Sequence, residues 1–308
     1  MSPELEPEPG PGPKPQASQA SQASQTVEID GRAVKLSNLD KVLYPETGFT
    51  KGEILDYYAR IAPVMLPHLT DRPVTFIRYP DGVDTSGFFA KHAPAHRPSW
   101  VRTADIAASS SGKKVEYVLI DGLASLMWAA NLAAIEFHVP QWRVSDQAHH
   151  DLLVLDLDPG APATVVDCVR VALAARDLLS AHGLELSAKT SGAKGLHLYA
   201  PLTDVPGEQA RELAHTIARA LEGTHRDLVV SSMAKAERPG KVFVDWSQNT
   251  HAKTTIAPYS LRATPHPAVS TPVTWEQLAA ARHPEDLRFP PARALEQVAR
   301  YGDLLSGL

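Results

Sequence analysis

The sequence has little cysteine, few aromatic residues and no long apolar run. Its 308 residues include one cysteine, Cys168, so no internal disulfide can form, which agrees with a reducing compartment. We expect Cys168 to be a small core residue on a helix. No apolar stretch reaches the roughly 18 residues that span a bilayer, and no signal peptide opens the chain. These absences predict a soluble, cytoplasmic protein with no membrane partner.

An excess of positive charge is also missing. Lys and Arg number 30 against 35 Asp and Glu, which gives a formal net charge of −5. The first 25 residues hold three glutamates and one lysine, or −2, which leaves −3 for the rest of the chain. Bulk charge therefore does not indicate nucleic-acid binding, and any such binding must use a local basic surface.

The chain divides into a polar tail and one long remainder. Residues 1–25 are rich in Pro, Glu, Gln and Ser and almost lack bulky apolar side chains, which predicts a disordered tail. Residues 26–308 contain no obvious linker, which predicts one compact catalytic domain. Helical and strand-like stretches are interspersed in it, and several strands are close enough to form hairpins. We therefore predict an α+β fold in which mixed or antiparallel sheets are flanked by helices.

Local signals place several elements of this domain. Asp30-Gly31 predicts the turn of a β-hairpin near the start of the ordered region. Thr50 and Glu53 have the spacing of a capping box at the start of a helix that runs to about residue 69. The apolar stretch DLLVLDLD, residues 151–158, predicts a strand.

Two carboxylates, Asp156 and Asp158, stand at the end of that apolar strand. Side chains at i and i+2 project from the same face, so the two carboxylates lie together. Burying both is costly unless the site opens to water or a cation lies between them. Asp245 ends a second apolar strand, KVFVDW, and a third carboxylate would complete a site for two divalent metals. Alternatively, Asp245 caps the following SQN segment, and Asp-x-Asp alone also occurs in phosphatases, glycosyltransferases and solvated strand ends.

A glycine-containing turn, TSGAKGLHLYAPL, lies between these two strands. Its glycines let the backbone approach a ligand and leave N–H groups free. Its polar side chains add a hydroxyl, a cation and an imidazole that shares a strand face with Tyr199. This composition predicts a triphosphate cradle, although a plain hairpin turn explains it equally well. The residues concerned are Ser191, Gly192, Lys194, Gly195 and His197.

The order of these motifs resembles the polymerase domain of bacterial DNA ligase D, within the archaeo-eukaryotic primase superfamily. The resemblance is carried by VLDLDPG, TSGAKGLHLY, KVFVDWSQNTHAKTTIAPYSLRA, LSNLDKVLYPETGFTKGEILDYYARIAP, RPVTFIRYPDGVDTSGFFAKHAP and IEFHVPQWRV, and it covers residue 27 to the end. It implies a primase-like catalytic core and a nucleotidyltransferase that extends or fills DNA ends in bacterial non-homologous end joining. It also implies a preference for ribonucleotides and the use of two Mn²⁺ or Mg²⁺ ions.

The resemblance also implies residue roles. Three aspartates would bind the metals, beside a catalytically important histidine: Asp156, Asp158, Asp245 and His138. Nucleotide contacts would come from Ser191, Lys194, Gly195, His197, Arg238 and Arg262. A pocket for the 5′-phosphate of the downstream DNA strand would be formed by Asn38, Lys41 and Lys51. Two aromatic residues would stack on the template and the nascent base pair, Phe88 and Phe89.

Several alternatives stay open. One phenylalanine of the pair could point into the core, and Lys41 and Lys51 could be solvated surface; His92, His149 and His150 are expected at the surface. The partners implied are DNA ends or gaps with a 5′-phosphate, NTP or dNTP, a separate DNA ligase and a Ku-like end-binding protein. The length leaves no room for ligase or nuclease modules, so the polymerase would be free-standing, cytoplasmic and nucleoid-associated. Rival hypotheses are a DNA-end bridging module with secondary chemistry, and a phosphatase or glycosyltransferase.

Overall fold

The structure, a computed structural model, describes residues 24–107 and 113–308. The first strand begins at Ser24, so all but the last two residues of the predicted tail lie outside the described ranges. The helices of the described ranges are α1 Lys51–Leu69, α2 Leu123–Asn131, α3 Val165–Ser180, α4 Gly207–Thr224, α5 Trp275–Ala280 and α6 Pro291–Tyr301. No helix in these ranges is long and apolar enough to cross a membrane.

The strands are interspersed with the helices along the chain. In order they are β1 Ser24–Ile29, β2 Arg32–Ser37, β3 Val42–Tyr44, β4 Phe49–Thr50, β5 Pro73–Arg78, β6 Phe88–Ala90, β7 Thr103–Ala107, β8 Lys114–Leu119, β9 Ala134–Val139, β10 His149–Pro159, β11 Ser187–Thr190, β12 Leu196–Pro206, β13 Val229–Val230, β14 Val242–Asp245, β15 Thr255–Ile256, β16 Leu261–Arg262, β17 Ala268–Val269 and β18 Pro272–Val273.

Two six-stranded sheets form the body of the domain. The first sheet has the order β13-β14-β10-β12-β11-β18, and its strands are antiparallel except for the parallel pair β13–β14. The second sheet has the order β15-β9-β5-β8-β7, with β6 paired to β5, and it is antiparallel throughout. The predicted α+β class with mixed and antiparallel sheets is confirmed.

The predicted local signals form as expected. Asp30 and Gly31 have φ of 52° and 70°, as a two-residue hairpin turn requires, and they join β1 to β2. At the start of α1, the Thr50 hydroxyl accepts from the Glu53 N–H at 3.2 Å, and the Glu53 carboxylate accepts from the Thr50 N–H at 2.7 Å. This is the reciprocal capping box.

The apolar side of the first sheet holds the core. Helices α3 and α4 pack against β10 and against each other, so they cover one face of this sheet. Leu155 and Leu157 are fully buried, as is Cys168 on α3, which confirms the expected core position of the cysteine. Because strand residues alternate between faces, Asp156 and Asp158 project from the opposite side of β10. The fold therefore places the acidic pair away from the two helices.

The prediction that His150 lies at the surface is wrong. It stands near the start of β10 with 1% of its surface exposed, against the N-terminus of α4, and neither ring nitrogen has a hydrogen-bond partner. Burial, and then the charge of His251, lower the pKa of His150 to about 4. The folded state therefore disfavours protonation of this ring.

We expect His150 to make the protein less stable in acid. Between pH 6.5 and pH 4 the unfolded chain binds a proton that the folded chain does not, so stability falls as the pH falls through this window. Between pH 8 and pH 5, the His150→Leu variant should lose about 2 kcal/mol less unfolding free energy than the wild type loses. Urea titrations at the two pH values measure this.

The matched control is His92→Gln, at an exposed position. This variant should keep the wild-type loss of stability in acid. If His150→Leu lost as much stability as the wild type between pH 8 and pH 5, His150 would not be the buried neutral group described.

Candidate active site

A row of polar side chains crosses the first sheet from β14 to β11. Asp245 pairs with Asp156, Asp156 pairs with His197, and His197 pairs with Lys189. Residues directly opposite each other in antiparallel strands point to the same face, with Cα atoms about 4.5–5.5 Å apart. We call these four residues the polar row. Asp158 lies on the same face, two residues beyond Asp156.

The acidic end of the polar row is electrostatically unfavourable by itself. Burial, and then the charges of Asp158 and Asp245, raise the pKa of Asp156 well above its ordinary value. Burial also raises the pKa of Asp158, where Asp245 adds to the effect and Lys194 opposes it. A bound cation would remove this penalty, and carboxylate oxygens are the ligands that Mg²⁺ and Mn²⁺ prefer. The donor set therefore fits the implied metals.

Asp245 has a second contact set within the chain. Its Oδ1 accepts from the Ser247 N–H at 3.0 Å, and its Oδ2 accepts from Gln248 Nε2 at 2.8 Å. It thus also caps the 3₁₀ helix Trp246–Asn249, the alternative that the sequence left open. Within residues 24–107 and 113–308, no three His, Cys, Asp or Glu side chains already converge as a metal site. Joint coordination by the three aspartates requires the Asp245 carboxylate to reorient.

A cavity of about 240 Å³ opens beside the polar row, between the two sheets. The first sheet and its Ser191–Gly195 turn contribute carboxylates, a hydroxyl, a lysine and an imidazole, and the second sheet contributes His138. Seven of the predicted residues line this cavity: His138, Asp156, Asp158, Ser191, Lys194, His197 and Arg262. Residues up to 124 sequence positions apart, His138 and Arg262, are thus brought to one place, with anionic and cationic groups facing each other.

The glycine-containing turn is more closed than expected. Ser191 Oγ accepts from the Gly195 N–H at 3.0 Å, so the expectation that this N–H is free for a ligand is wrong here. A Cβ on Gly195 would lie 2.2 Å from the Leu157 carbonyl oxygen. The glycine is therefore required for packing of β12 on β10. The Lys194 side chain still reaches the cavity.

Sequence reasoning missed Glu136, which connects two predicted residues. Its Oε2 accepts from His138 Nε2 at 2.8 Å and lies 3.1 Å from Arg262 Nη1, and its Oε1 accepts from the Ala263 N–H at 2.9 Å. Burial by itself would raise the pKa of Glu136, but the His138 hydrogen bond and the Arg262 charge outweigh it, and the pKa is lowered. Glu136 stays ionised and fixes both partners. Its position two residues before His138, on the same strand face, was the available signal.

His138 is held as a neutral ring. Burial lowers its pKa, while the Glu136 contact opposes this effect. Because Nε2 faces a carboxylate, Nε2 carries the hydrogen, and Nδ1 is the unprotonated nitrogen.

Arg238 does not line the cavity. Its guanidinium lies 3.7 Å from the centre of the Phe243 ring, and its Nη2 donates to the Met233 carbonyl at 2.9 Å. Phe243 pairs with Asp158 across β14 and β10, and the Arg238 charge acts to lower the pKa of Asp158. Arg238 therefore acts on the site through its charge in this structure.

The three residues predicted to bind the 5′-phosphate lie together at the start of α1. The Lys41 N–H donates to the Asn38 carbonyl at 3.1 Å and the Lys51 N–H donates to the Lys41 carbonyl at 2.8 Å, which gathers the three residues. Lys51 Nζ donates to the Ser37 carbonyl at 2.6 Å, and only 5% of Lys51 is exposed, so the surface alternative is wrong for it. Lys41 is exposed and lies 3.2 Å from Asp81.

The two phenylalanines lie on β6 beside this pocket. Phe88 is 45% and Phe89 is 65% exposed, so the alternative that one points into the core is wrong. Arg78 pairs with Phe88 across β5 and β6, and its guanidinium lies 5.1 Å from the ring centre. The Arg78 charge also lowers the pKa of Lys51. Arg78, which the sequence did not single out, therefore links the aromatic pair to the lysine pocket.

Comparison with known proteins identifies the family. Residues 50–305 match the family model described as LigD, primase-polymerase domain. The chain belongs to this family. As a LigD primase-polymerase domain it is a nucleotidyltransferase, so the predicted resemblance and enzyme class are confirmed.

The relatives agree with this assignment. The chain is 45% identical over 280 residues to the multifunctional non-homologous end joining protein LigD of Mycolicibacterium smegmatis, covering 89% of this chain and 36% of that protein. It is 29% identical over 253 residues to the bifunctional LigD of Bacillus subtilis, covering 82% of this chain and 40% of that protein. A solved polymerase domain of Mycobacterium tuberculosis ligase D in complex with DNA aligns with a TM-score of 0.83 and 46% identity, over 89% of this chain and 97% of that one. The chain thus spans well under half the length of these curated relatives.

Proposed function

We propose that this LigD primase-polymerase domain extends DNA ends and fills gaps in bacterial non-homologous end joining, guided by a template and preferring ribonucleotides. The observation that carries the proposal is the cavity in which Asp156 and Asp158 face Lys194 and Arg262. Carboxylates suit divalent metals, and lysine and arginine suit a triphosphate. A separate ligase and a Ku-like protein would complete the joining reaction.

Each part of the candidate site has a distinct task in this proposal; Asp156 and Asp158 line the cavity, and Asp245 lies next to Asp156 on β14. Asp156, Asp158 and Asp245 would hold Mn²⁺ or Mg²⁺, which, when bound, lowers the pKa of the attacking 3′-hydroxyl and offsets charge on the leaving pyrophosphate. Lys194 and Arg262 bind and orient the triphosphate of the incoming nucleotide. The two sheets wall the cavity on both sides, which lowers the local dielectric and strengthens these charge interactions.

The DNA side of the proposal uses the start of α1 and β6. Lys41 and Lys51, together with the positive end of α1, form a site for the 5′-phosphate of the downstream strand. Exposed Phe89 offers a face on which a base can stack, a contact worth about 1–3 kcal/mol. That the aligned ligase D structure is in complex with DNA supports this assignment.

The proposal is tested with a gapped, 5′-phosphorylated duplex, Mn²⁺ and either NTP or dNTP. We expect addition of one or a few nucleotides opposite the template, faster with NTP. Absence of extension in the wild type would contradict the proposal. If an Asp156→Ala/Asp158→Ala double variant still supported end joining in a reconstituted reaction while Lys41→Ala did not, the bridging hypothesis would replace it.

We expect recognition of the 5′-phosphate to weaken as the pH rises through 8. Burial, and then the charges of Lys41 and Arg78, lower the pKa of Lys51 to about 8, so most Lys51 is charged at pH 7 and about a tenth at pH 9. A phosphate binds the charged form. The ratio of affinities for 5′-phosphate and 5′-hydroxyl duplexes should therefore fall by up to about tenfold between pH 7 and pH 9. Fluorescence anisotropy measures the ratio.

Two arginine variants provide the control. Lys51→Arg stays charged at pH 9 and should flatten the pH dependence. Lys41→Arg makes the same change at the exposed neighbour and should keep the wild-type dependence. An affinity ratio that is equal at pH 7 and pH 9 in the wild type would rule out Lys51 as the titrating phosphate contact.

A further inference from the structure

Lys189, at the basic end of the polar row, does not itself line the cavity. It is fully buried, and a lysine is almost never fully buried unless it is paired. Its Nζ lies 2.6 Å from Ser270 Oγ and 3.2 Å from His197 Nδ1. Since the pairing of β11 with β12 sets Lys189 opposite His197, the contact follows from the register of the sheet.

The hydrogen-bond directions around Lys189 can be assigned from its neighbours. Ser270 Oγ donates its one hydrogen to the Thr190 carbonyl at 2.8 Å. It must therefore accept from Lys189 Nζ. Lys189 has further hydrogens, and the ring nitrogen of His197 is the other polar atom within reach in the structure described here. We assign this contact with Lys189 Nζ as the donor and His197 Nδ1 as the acceptor.

A second donor reaches the same nitrogen from Tyr199. The Tyr199 hydroxyl lies 3.3 Å from His197 Nδ1 and 3.1 Å from Thr255 Oγ1. Thr255 Oγ1 accepts from Gln141 Nε2 at 3.0 Å, and we assign its own hydrogen to the Tyr199 oxygen. The Tyr199 hydrogen then points to His197. In this assignment two buried donors converge on Nδ1, and the ring carries its hydrogen on Nε2.

We propose that Lys189 and Tyr199 are positioning residues that hold His197 as the Nε2–H tautomer, with this N–H directed into the cavity as a hydrogen-bond donor to the nucleotide triphosphate. Nε2 is the cavity-side nitrogen, because it lies 3.3 Å from Asp156 Oδ1 and His197 lines the cavity with Lys194 and Arg262. The identity of the acceptor rests on the proposed polymerase function. The assignment of the tautomer rests on the contacts alone.

The tautomer can be measured without nucleotide or metal. Nitrogen-15 NMR of the histidine rings distinguishes a protonated from an unprotonated ring nitrogen, and the His197 signals are those that disappear in His197→Asn. We expect Nε2–H in the wild type. In Lys189→Met/Tyr199→Phe, which removes both donors, a substantial fraction of His197 should carry its hydrogen on Nδ1. Lys189→Met alone should shift the population in the same direction if the double variant does not fold.

The second measurement is nucleotide binding. In Lys189→Met, calorimetric titration with a non-hydrolysable NTP should show a Kd roughly tenfold higher than in the wild type, because one directed donor is lost. Steady-state extension should show the same rise in KM, with kcat changed less than about threefold. Tyr57→Phe is the matched control, since it removes a buried tyrosine hydroxyl bonded to the Tyr259 carbonyl at 2.7 Å. It should change neither the His197 signals nor KM.

Two results would overturn the proposal. One is a wild-type His197 that carries its hydrogen on Nδ1. The other is a set of Lys189 and Tyr199 variants that fold and leave both the tautomer and NTP affinity unchanged. A wild-type protein that shows the Nε2–H tautomer and binds NTP but never extends DNA would contradict the proposed function while leaving the positioning role of Lys189 intact.

Discussion

Asp156→Asn is expected to abolish extension while making the metal-free protein more stable. Asparagine keeps the shape of the side chain but supplies one neutral oxygen, so we expect the extension rate to fall by at least about a thousandfold. Burial and two neighbouring carboxylates raise the folded pKa of Asp156, so the fold loses stability as the pH rises from the ordinary aspartate pKa to that raised value. Removing the charge should raise the free energy of unfolding by on the order of 1–2 kcal/mol at pH 8. This corresponds to a rise of roughly 2–8 °C in Tm. Scanning calorimetry with and without Mn²⁺ measures this.

Asp167→Asn is the matched control for that prediction. Asp167 is the N3 carboxylate of the capping box on α3, away from the cavity. Its replacement should lower stability by about 0.5–1 kcal/mol and leave extension unchanged. Mn²⁺ should raise the Tm of the wild type and of Asp167→Asn but not that of Asp156→Asn. An Asp156→Asn protein that is destabilised without metal, or that extends DNA at the wild-type rate, would contradict the account.

Glu136→Gln is expected to lower kcat/KM for nucleotide addition by about a hundredfold, which corresponds to about 2.7 kcal/mol. Glutamine has one accepting oxygen, so it cannot hold His138, Arg262 and the Ala263 N–H together, and its amide group opposes one of these donors. Both cavity residues should lose their orientation. Single-turnover extension on the gapped duplex measures the loss.

The comparison variant is Glu116→Gln in the same sheet. Glu116 also binds an arginine, Arg97, and accepts from the Thr103 hydroxyl at 2.8 Å, but it does not line the cavity. We expect extension within about twofold of the wild type. Equal losses in the two glutamate variants would mean that Glu136 acts through general stability of the second sheet and not through the cavity.

Patterns local in the sequence predicted much of the fold. Strand β10 is an apolar run with a clear end at Pro159, and α1 begins with a capping box, so both elements could be placed from neighbouring residues alone. The hairpin at Asp30-Gly31 is fixed by two positive φ angles that this dipeptide tolerates. The two-residue strands β15 and β18 could not be predicted, because their pairing partners β9 and β11 lie far away in the chain and carry no local signal.

The candidate site likewise contains residues that local motifs indicated and residues that only the tertiary structure revealed. Asp156, Asp158 and His197 belong to conspicuous motifs, and the structure places them on one face with the cavity. Glu136 and Lys189 were missed because a charged residue inside an apolar strand has no evident partner until the sheets assemble. Lys189 meets Ser270 across 81 positions of sequence, and Glu136 on β9 meets Arg262 on the short strand β16. Only the tertiary contacts show that these buried charged side chains hydrogen-bond or pair with neighbouring residues of the site.

The most direct test of the account is a crystal of the protein with Mn²⁺ and a non-hydrolysable NTP, measured at the manganese absorption edge. We predict anomalous peaks within coordination distance of Asp156, Asp158 and Asp245, with the Asp245 carboxylate turned away from the Ser247 amide. Manganese bound elsewhere, or an Asp245 that still caps its 3₁₀ helix and contacts no metal, would contradict the claim that these carboxylates form one metal centre.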